Sequence, residues 1–131
     1  MNQEWKNYNR VGSVRELNVY IMAFGTAMKI FHLSKQFPFE ERFSLTDQIR
    51  RSSRSVCSNL SEAWRKRKYP AVFLNKLTDC AQEAAETQTW LEFAVNCSYI
   101  TKEMFGELDK QYEQIFAMLT GMERKVGTFC K

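Results

Sequence analysis

The sequence predicts an all-α protein, an antiparallel up-down-up-down four-helix bundle. Apolar residues recur every three or four positions through four long segments, which is the period of an amphipathic helix. Only two prolines and five glycines interrupt the chain, and the connections between the periodic segments are short. Short connections make consecutive helices antiparallel neighbours, and 131 residues suit a single domain with one core.

The first predicted helix runs from about Ser13 to Gln36. It ends before Pro38, because the residue preceding a proline avoids helical geometry. Its predicted apolar stripe consists of Leu17, Ile21, Phe24, Met28 and Phe31. Residues 1–12 are expected to form a flexible N-terminal arm, and residues 13–131 the single bundle domain.

The second predicted helix, from Ser44 to Lys68, carries the strongest signal in the chain. Its first residues, S-L-T-D, fit a capping box in which the serine oxygen accepts from an amide three residues on. On a wheel of 100° per residue one face is apolar and consists of Leu45, Ile49, Val56, Leu60, Ala63 and Trp64. A separate face is basic, so one side enters a core while the other is free to meet a negatively charged partner.

The third predicted helix begins at Pro70, since proline fits the first helical turn, and ends near Val95. Its inner stripe is small in the middle and consists of Phe73, Leu77, Ala81, Ala84, Gln88, Leu91 and Val95. Thr101 is predicted to cap the fourth helix. The stripe of that helix consists of Met104, Leu108, Tyr112, Ile115, Leu119, Met122 and Val126.

Seven basic side chains of the second helix are candidates for contacts with nucleic-acid phosphates. They are Arg50, Arg51, Arg54, Arg65, Lys66, Arg67 and Lys68. Arginine suits bidentate phosphate recognition, and such contacts make binding dependent on salt. Two other interpretations stay open: Arg50 and Arg54 pair with acids of another helix or protomer, or the last four bases only complement the helix dipole.

An acidic face with a tryptophan is the candidate oligomer interface. Asp79, Glu83, Glu86 and Trp90 share a side of the third helix away from its inner stripe. A tryptophan on a polar face is often an interface anchor, so Trp90, Glu83 and Glu86 are predicted to contact another protomer. A place at the edge of the core and a role in ligand stacking are the alternatives for Trp90.

No catalytic, metal or cofactor site is predicted. The chain has one histidine, His32, and its spacing to serines and carboxylates fits no catalytic set. Asn59, Glu62 and Ser58 are expected to form a structural hydrogen-bond network between helices. The four cysteines form no C-x-x-C pair, so a zinc site is not expected.

The expected location is the cytoplasm. Scattered thiols fit a reducing compartment, and the polar start of the chain lacks a signal-type apolar core. No stretch approaches the roughly 18 apolar residues that a membrane span needs, so no membrane partner is expected.

The segment FPFEERFSLTDQIRRSSRSVCSNLSEAW resembles the signature of a bacterial four-helix-bundle family. That family was first noticed as reading frames inside intervening sequences of large-subunit ribosomal RNA genes. Matching positions are Phe37, Pro38, Glu41, Phe43, Leu45, Thr46, Gln48, Ile49, Arg50, Arg51, Ser58, Asn59 and Glu62, with a second match at residues 84–88. Cys57 stands where the family often has proline, and Ala63 where it usually has glycine.

The resemblance implies a four-helix protomer and a ring-like homopentamer. One relative is the accessory variability determinant of diversity-generating retroelements, a basic pentamer that binds nucleic acid and a partner reverse transcriptase. The leading hypothesis is therefore a non-enzymatic oligomer that binds RNA or DNA backbones, as an accessory to a nucleic-acid-processing partner such as a reverse transcriptase. The alternative is a structural or protein-interaction module whose basic face pairs with an acidic protein or a neighbouring protomer.

Overall fold

Four long helices account for most of the chain in a computed structural model that describes residues 12–130. They are α1 (Asn18–Ser34), α2 (Leu45–Arg65), α3 (Pro70–Asn96) and α4 (Lys102–Arg124), and a single turn, α5 (Val126–Phe129), follows. Short 3₁₀ turns occupy Val14–Glu16 and Phe39–Glu41. The predicted all-α class is confirmed, and the described residues form no strand. The predicted arm lies almost entirely outside the described residues.

Side-chain contacts between neighbouring helices show that the bundle is antiparallel. Arg50 of α2 reaches Ser34 at the end of α1, and Lys76 near the start of α3 reaches Glu62 near the end of α2. Lys29 of α1 pairs with Glu107 of α4, which closes the bundle. In each pair, later residues of one helix meet earlier residues of its neighbour, as the predicted up-down-up-down order requires.

The most extensive contact between two helices lies between α2 and α3, where small residues meet. Ser52 and Ser53 of α2 and Ala84 and Thr87 of α3 are almost completely buried. The hydroxyl oxygens of Ser52 and Thr87 lie 2.7 Å apart, which satisfies both groups inside the core. Around this layer the predicted apolar face of α2 is buried as expected.

The predicted apolar stripe of α1 is wrong, because most of its residues are exposed and a different face is buried. Leu17 is buried, but Ile21, Phe24 and Met28 are 43%, 51% and 41% exposed. The buried face instead consists of Val19, Ala23, Thr26, Ala27, Ile30 and Ser34. Small side chains on that face let α1 approach the bundle closely. The larger apolar residues remain outside, so α1 is apolar on both faces, which is unusual for a helix with one side in solvent.

The start of α2 is capped by Glu41 and not by Ser44, so the predicted capping box is wrong. Glu41 Oε1 accepts from the Leu45 amide at 3.3 Å and from the Ser44 hydroxyl at 2.6 Å. Its other oxygen accepts from the Tyr99 hydroxyl at 2.8 Å. Glu41 therefore joins the loop before α2 to the loop after α3. The predicted cap at Thr101 is confirmed, since its side chain accepts from the Met104 amide.

Candidate nucleic-acid interface

Three cations of two helices converge on one aromatic ring. Lys35 Nζ lies 4.8 Å from the centre of the Phe31 ring, and the guanidinium carbons of Arg50 and Arg54 lie 4.9 and 5.6 Å from it. We call these four residues the Phe31 cluster. Arg50 is also held by a 2.7 Å hydrogen bond from its Nε to the hydroxyl of Ser34. A ring face attracts cations, which offsets part of their mutual repulsion and holds them in one place.

Four further cations surround the end of α2, and we call Arg65, Lys66, Arg67 and Lys68 the terminal cluster. Arg67 is the anchored member: its guanidinium lies 3.7 Å from the Trp64 ring centre, and its Nε donates to the Trp64 carbonyl. Burial lowers the pKa of Arg67, but a guanidinium remains charged at neutral pH. Arg65, Lys66 and Lys68 are exposed. The helix ends at Arg65, so the last three cations occupy the turn that follows.

A groove of about 600 Å³ runs between α1 and α2 from one cluster toward the other. The rise of 1.5 Å per residue puts Arg54 and Arg65 about 16 Å apart along α2, and 11 residues return to nearly the same side of a helix. We call this the α1–α2 groove; it is lined by Tyr20, Phe24, Ala27, Met28, Arg54, Cys57, Ser58, Ser61 and Glu62. Its α1 wall is therefore aromatic and apolar, and its α2 wall is polar.

None of the seven predicted phosphate-binding residues forms an ion pair within residues 12–130. The one carboxylate that lines the groove, Glu62, binds Lys76 of α3 at 2.7 Å. That hydrogen bond raises the pKa of Lys76. Because Lys76 offsets the charge of Glu62, the clusters at either end of the groove keep a positive field.

The acids proposed as partners for Arg50 and Arg54 lie elsewhere. Asp79 lies 3.9 Å from Lys76, and burial, aided by Glu86 and Asp79, raises the pKa of Glu83. Within the described chain these carboxylates do not reach either arginine. Pairing with another protomer remains a prediction.

Trp90 lies at the edge of the core and not fully in solvent. It packs against the core with its ring centre 6.1 Å from that of Phe93, which is 55% exposed. Its buried Nε1 has no hydrogen-bond acceptor among the residues described. A second groove, of about 400 Å³, lies between Trp90, Phe93, Phe43 and Cys97. Trp90 therefore forms part of an exposed aromatic surface, while Glu86 and Glu83 lie one and two turns before it, respectively, on α3.

The remaining sequence candidates show no catalytic geometry. His32 is exposed, and its ring meets the edge of Phe31 with the centres 5.3 Å apart. Ser58 and Asn59 donate to the carbonyl of Ser55 in their own helix, so the predicted network between helices is reduced to the Glu62–Lys76 pair.

The cysteines are separate thiols. All four are free, and burial raises the pKa of the Cys57 thiol to about 11. In the part of the chain that the structure describes, no three His, Cys, Asp or Glu side chains are placed to hold a metal ion. Nor does any helix of residues 12–130 combine the length and apolar character of a membrane span.

Sequence reasoning missed two parts of this interface. Lys35 follows Phe31 by four residues and so belongs to the same side of α1, a spacing that could have signalled the contact. The role of Phe31 was not predicted, because the periodicity assigned it to the core stripe.

Charge is also divided between the two halves of the chain. Residues 12–68 carry 11 basic and 5 acidic side chains, and residues 69–130 carry 5 basic and 9 acidic side chains. The basic clusters therefore lie on the basic half.

Comparison with known proteins identifies the class. The family described as 23S rRNA-intervening sequence protein matches residues 15–121. A crystal structure from Bacteroides thetaiotaomicron, described as a protein with unknown function from the S23 ribosomal protein family, is 31% identical in sequence. It aligns with a TM-score of 0.73 over 81% of this chain and 95% of that chain. A search of curated proteins finds no match.

The chain belongs to the 23S rRNA-intervening sequence protein family. Neither the family description nor that of the solved relative names an enzymatic activity. The family is linked by its name to ribosomal RNA genes, and the helical architecture agrees with the solved relative over most of both chains.

Proposed function

We propose that this protein is a non-catalytic nucleic-acid-binding protein that holds RNA or DNA by its phosphate backbone. The observation that carries the proposal is the convergence of Lys35, Arg50 and Arg54 on one ring with no carboxylate partner among the described residues. Three confined cations repel one another, so a polyanion that bridges them relieves the repulsion. Phosphate is the anion for which arginine is best suited.

The two clusters make binding depend on salt in a predictable way. Each phosphate contact releases counterions, so seven contacts on a duplex give a salt slope of up to about −6. Substituting the terminal cluster with glutamine should reduce that slope by about one for each phosphate that is no longer neutralised. Base-specific readout is not part of the proposal, because no sequence-reading motif accompanies the charge.

The test is fluorescence anisotropy of a labelled RNA or DNA across a salt series. The variants are Lys35/Arg50/Arg54→Gln and the four terminal-cluster residues to Gln. A matched control replaces three exposed bases of α4, Lys102, Lys110 and Arg124, in the same way. We expect both cluster variants to lose affinity and the control to bind nearly as the wild type does. Wild-type protein that binds no nucleic acid at low salt would refute the proposal.

We also propose that the protein acts as a homo-oligomer, with a pentamer as the expected state. The support is the aromatic surface around Trp90, whose buried Nε1 has no acceptor among the described residues, beside the acidic residues Glu83 and Glu86. Large exposed aromatics of this kind are typical of protein interfaces. Light scattering should give a mass of about five chains, and Trp90→Ala should lower it. A stable wild-type monomer would refute this part.

A nucleic-acid-processing partner, such as a reverse transcriptase, fits the same function. A basic oligomer of this kind would hold the nucleic acid on which such an enzyme acts. Copurification with a neighbouring gene product that survives nuclease treatment tests this step. Loss of every partner on nuclease treatment would show that the nucleic acid alone joins them.

A further inference from the structure

We infer that the α1–α2 groove binds single-stranded nucleic acid, with bases stacked on the exposed aromatic wall of α1. The inference rests on the proposed function and names its substrate class. Its occupant is a single strand because the groove joins two features that only an unpaired strand uses together. One is a set of cations for the backbone, and the other is a row of aromatic rings for unstacked bases, with Phe24 exposed and Tyr20 and Phe31 half-buried.

The aromatic wall is built from residues that the core does not use. Phe24 is 51% exposed and Met28 41% exposed, although both lie on a helix whose opposite face is fully buried. The Tyr20 and Phe24 rings lie 6.0 Å apart at 28°, so they stack on each other within this wall. Phe31 continues the row toward the cations of its cluster. Every base has a π-face, so such a wall tolerates any sequence.

The charges of the groove fit a polyanion along its length. Arg54 lines the groove itself, the rest of the Phe31 cluster lies toward one end, and the terminal cluster lies toward the other. Glu62 is the one acid in the lining, and Lys76 binds it at 2.7 Å. Bases and backbone would thus meet opposite walls, with rings on α1 and cations on α2. A duplex keeps its bases stacked on one another and cannot use the α1 wall.

The experiment compares an oligouridylate single strand with an RNA duplex of equal length at one salt concentration. The variant is Phe24→Leu, which keeps an apolar side chain but removes the aromatic face. Stacking is worth about 1–3 kcal/mol per base, so we expect single-strand affinity to fall about fivefold to a hundredfold. Duplex affinity and the salt slope should not change. Phe39→Leu is the matched control, because Phe39 is 76% exposed and lines neither of the two grooves.

A second measurement locates the strand directly. Zero-length photocrosslinking of oligouridylate followed by mass spectrometry should place adducts on peptides containing Tyr20 or Phe24. Circular dichroism checks that Phe24→Leu is folded, as expected for an exposed position.

Three outcomes would overturn the inference. The first is an unchanged single-strand affinity in Phe24→Leu while the arginine variants lose binding; this leaves the proposed backbone function intact. The second is an equal loss for single strand and duplex. The third is a smaller assembly in light scattering for Phe24→Leu, which would make the α1 wall an interface between copies of this chain. Failure of the wild type to bind any nucleic acid would instead refute the proposed function itself.

Discussion

The arginines near the start of α2 differ from the basic residues at its end in how the fold holds them. Arg50 has a hydrogen bond to Ser34 and a ring contact with Phe31, and Arg54 shares that ring. In the terminal cluster Arg67 alone has such contacts within residues 12–130, both with Trp64. Side chains that are already confined lose less entropy on binding a phosphate. Under the proposed function, we therefore expect the first cluster to position a strand and the second mainly to attract it.

The largest expected effect comes from removing Trp64, the ring on which Arg67 of the terminal cluster packs. Trp64 is buried, meets Phe129 at 6.3 Å between ring centres and carries Arg67 on its face. Trp64→Ala should lower the free energy of unfolding by about 3–5 kcal/mol, the cost of emptying a buried aromatic site. Chemical denaturation followed by circular dichroism measures it.

Tyr69→Ala is the control for this prediction, because Tyr69 is 55% exposed and lies in the same turn region. It should change the free energy of unfolding by less than about 0.5 kcal/mol. Equal effects of the two substitutions would show that the end of α2 is not anchored by Trp64.

The second prediction concerns the hydrogen bonds of Glu41, which hold the start of α2. Hydrogen bonds from Ser44 and then Tyr99 lower the pKa of Glu41, and the Glu41 carboxylate raises the pKa of Tyr99 to about 12. Glu41→Gln keeps one acceptor oxygen but loses the charge and the acceptor for the Tyr99 hydroxyl. It should lower the free energy of unfolding at neutral pH by about 0.5–1.5 kcal/mol, the range for one net hydrogen bond. Urea denaturation across a pH series measures the difference between variant and wild type.

The sign of the pH dependence follows from the direction of each shift. Because the native pKa of Glu41 is lowered, its contribution is complete above about pH 4.5 and is lost as the pH falls through the native pKa. The contribution of Tyr99 is complete below about pH 10 and is lost as the pH rises toward 12. Glu40→Gln, an exposed neighbour, should show neither effect. A difference between Glu41→Gln and wild type that persists at about pH 2 would contradict this assignment.

The buried face of a helix can be predicted from sequence to the extent that its apolar and polar residues separate onto different faces. For α2 the apolar and polar residues separate cleanly, so the buried face was predicted residue by residue. In α1 apolar residues occupy both faces, and periodicity alone cannot tell which one turns inward. The deciding factor was size, because Ala23 and Ala27 permit a close approach that Phe24 and Met28 do not. Close packing, which favoured the smaller set, is a property of the assembled bundle.

The candidate site was predictable in its charges but not in its geometry. A helical wheel placed Arg50, Arg54, Arg65 and Lys68 on one side, with Arg51 beside them. The structure leaves all seven predicted phosphate-binding residues without ion pairs among residues 12–130. Lys35, Phe31 and the aromatic wall depend on how α1 lies against α2. The same holds for Glu41, which displaced Ser44 as the cap because the 3₁₀ turn after Pro38 brings its carboxylate to the Leu45 amide.

The smallest expected effect tests the comparison between the two clusters most directly. Arg50→Lys keeps the positive charge but loses the donation from Nε to Ser34 and the planar contact with Phe31. A ring contact of this kind is worth about 0.5–1 kcal/mol, so affinity for single-stranded RNA should fall about two- to fivefold. Arg65→Lys, the matched change in the terminal cluster, should lose less affinity, because Arg65 is exposed on the surface of the described bundle. Equal losses for the two variants in anisotropy titrations would mean that both clusters act only as charge, since a confined guanidinium would then add nothing to binding.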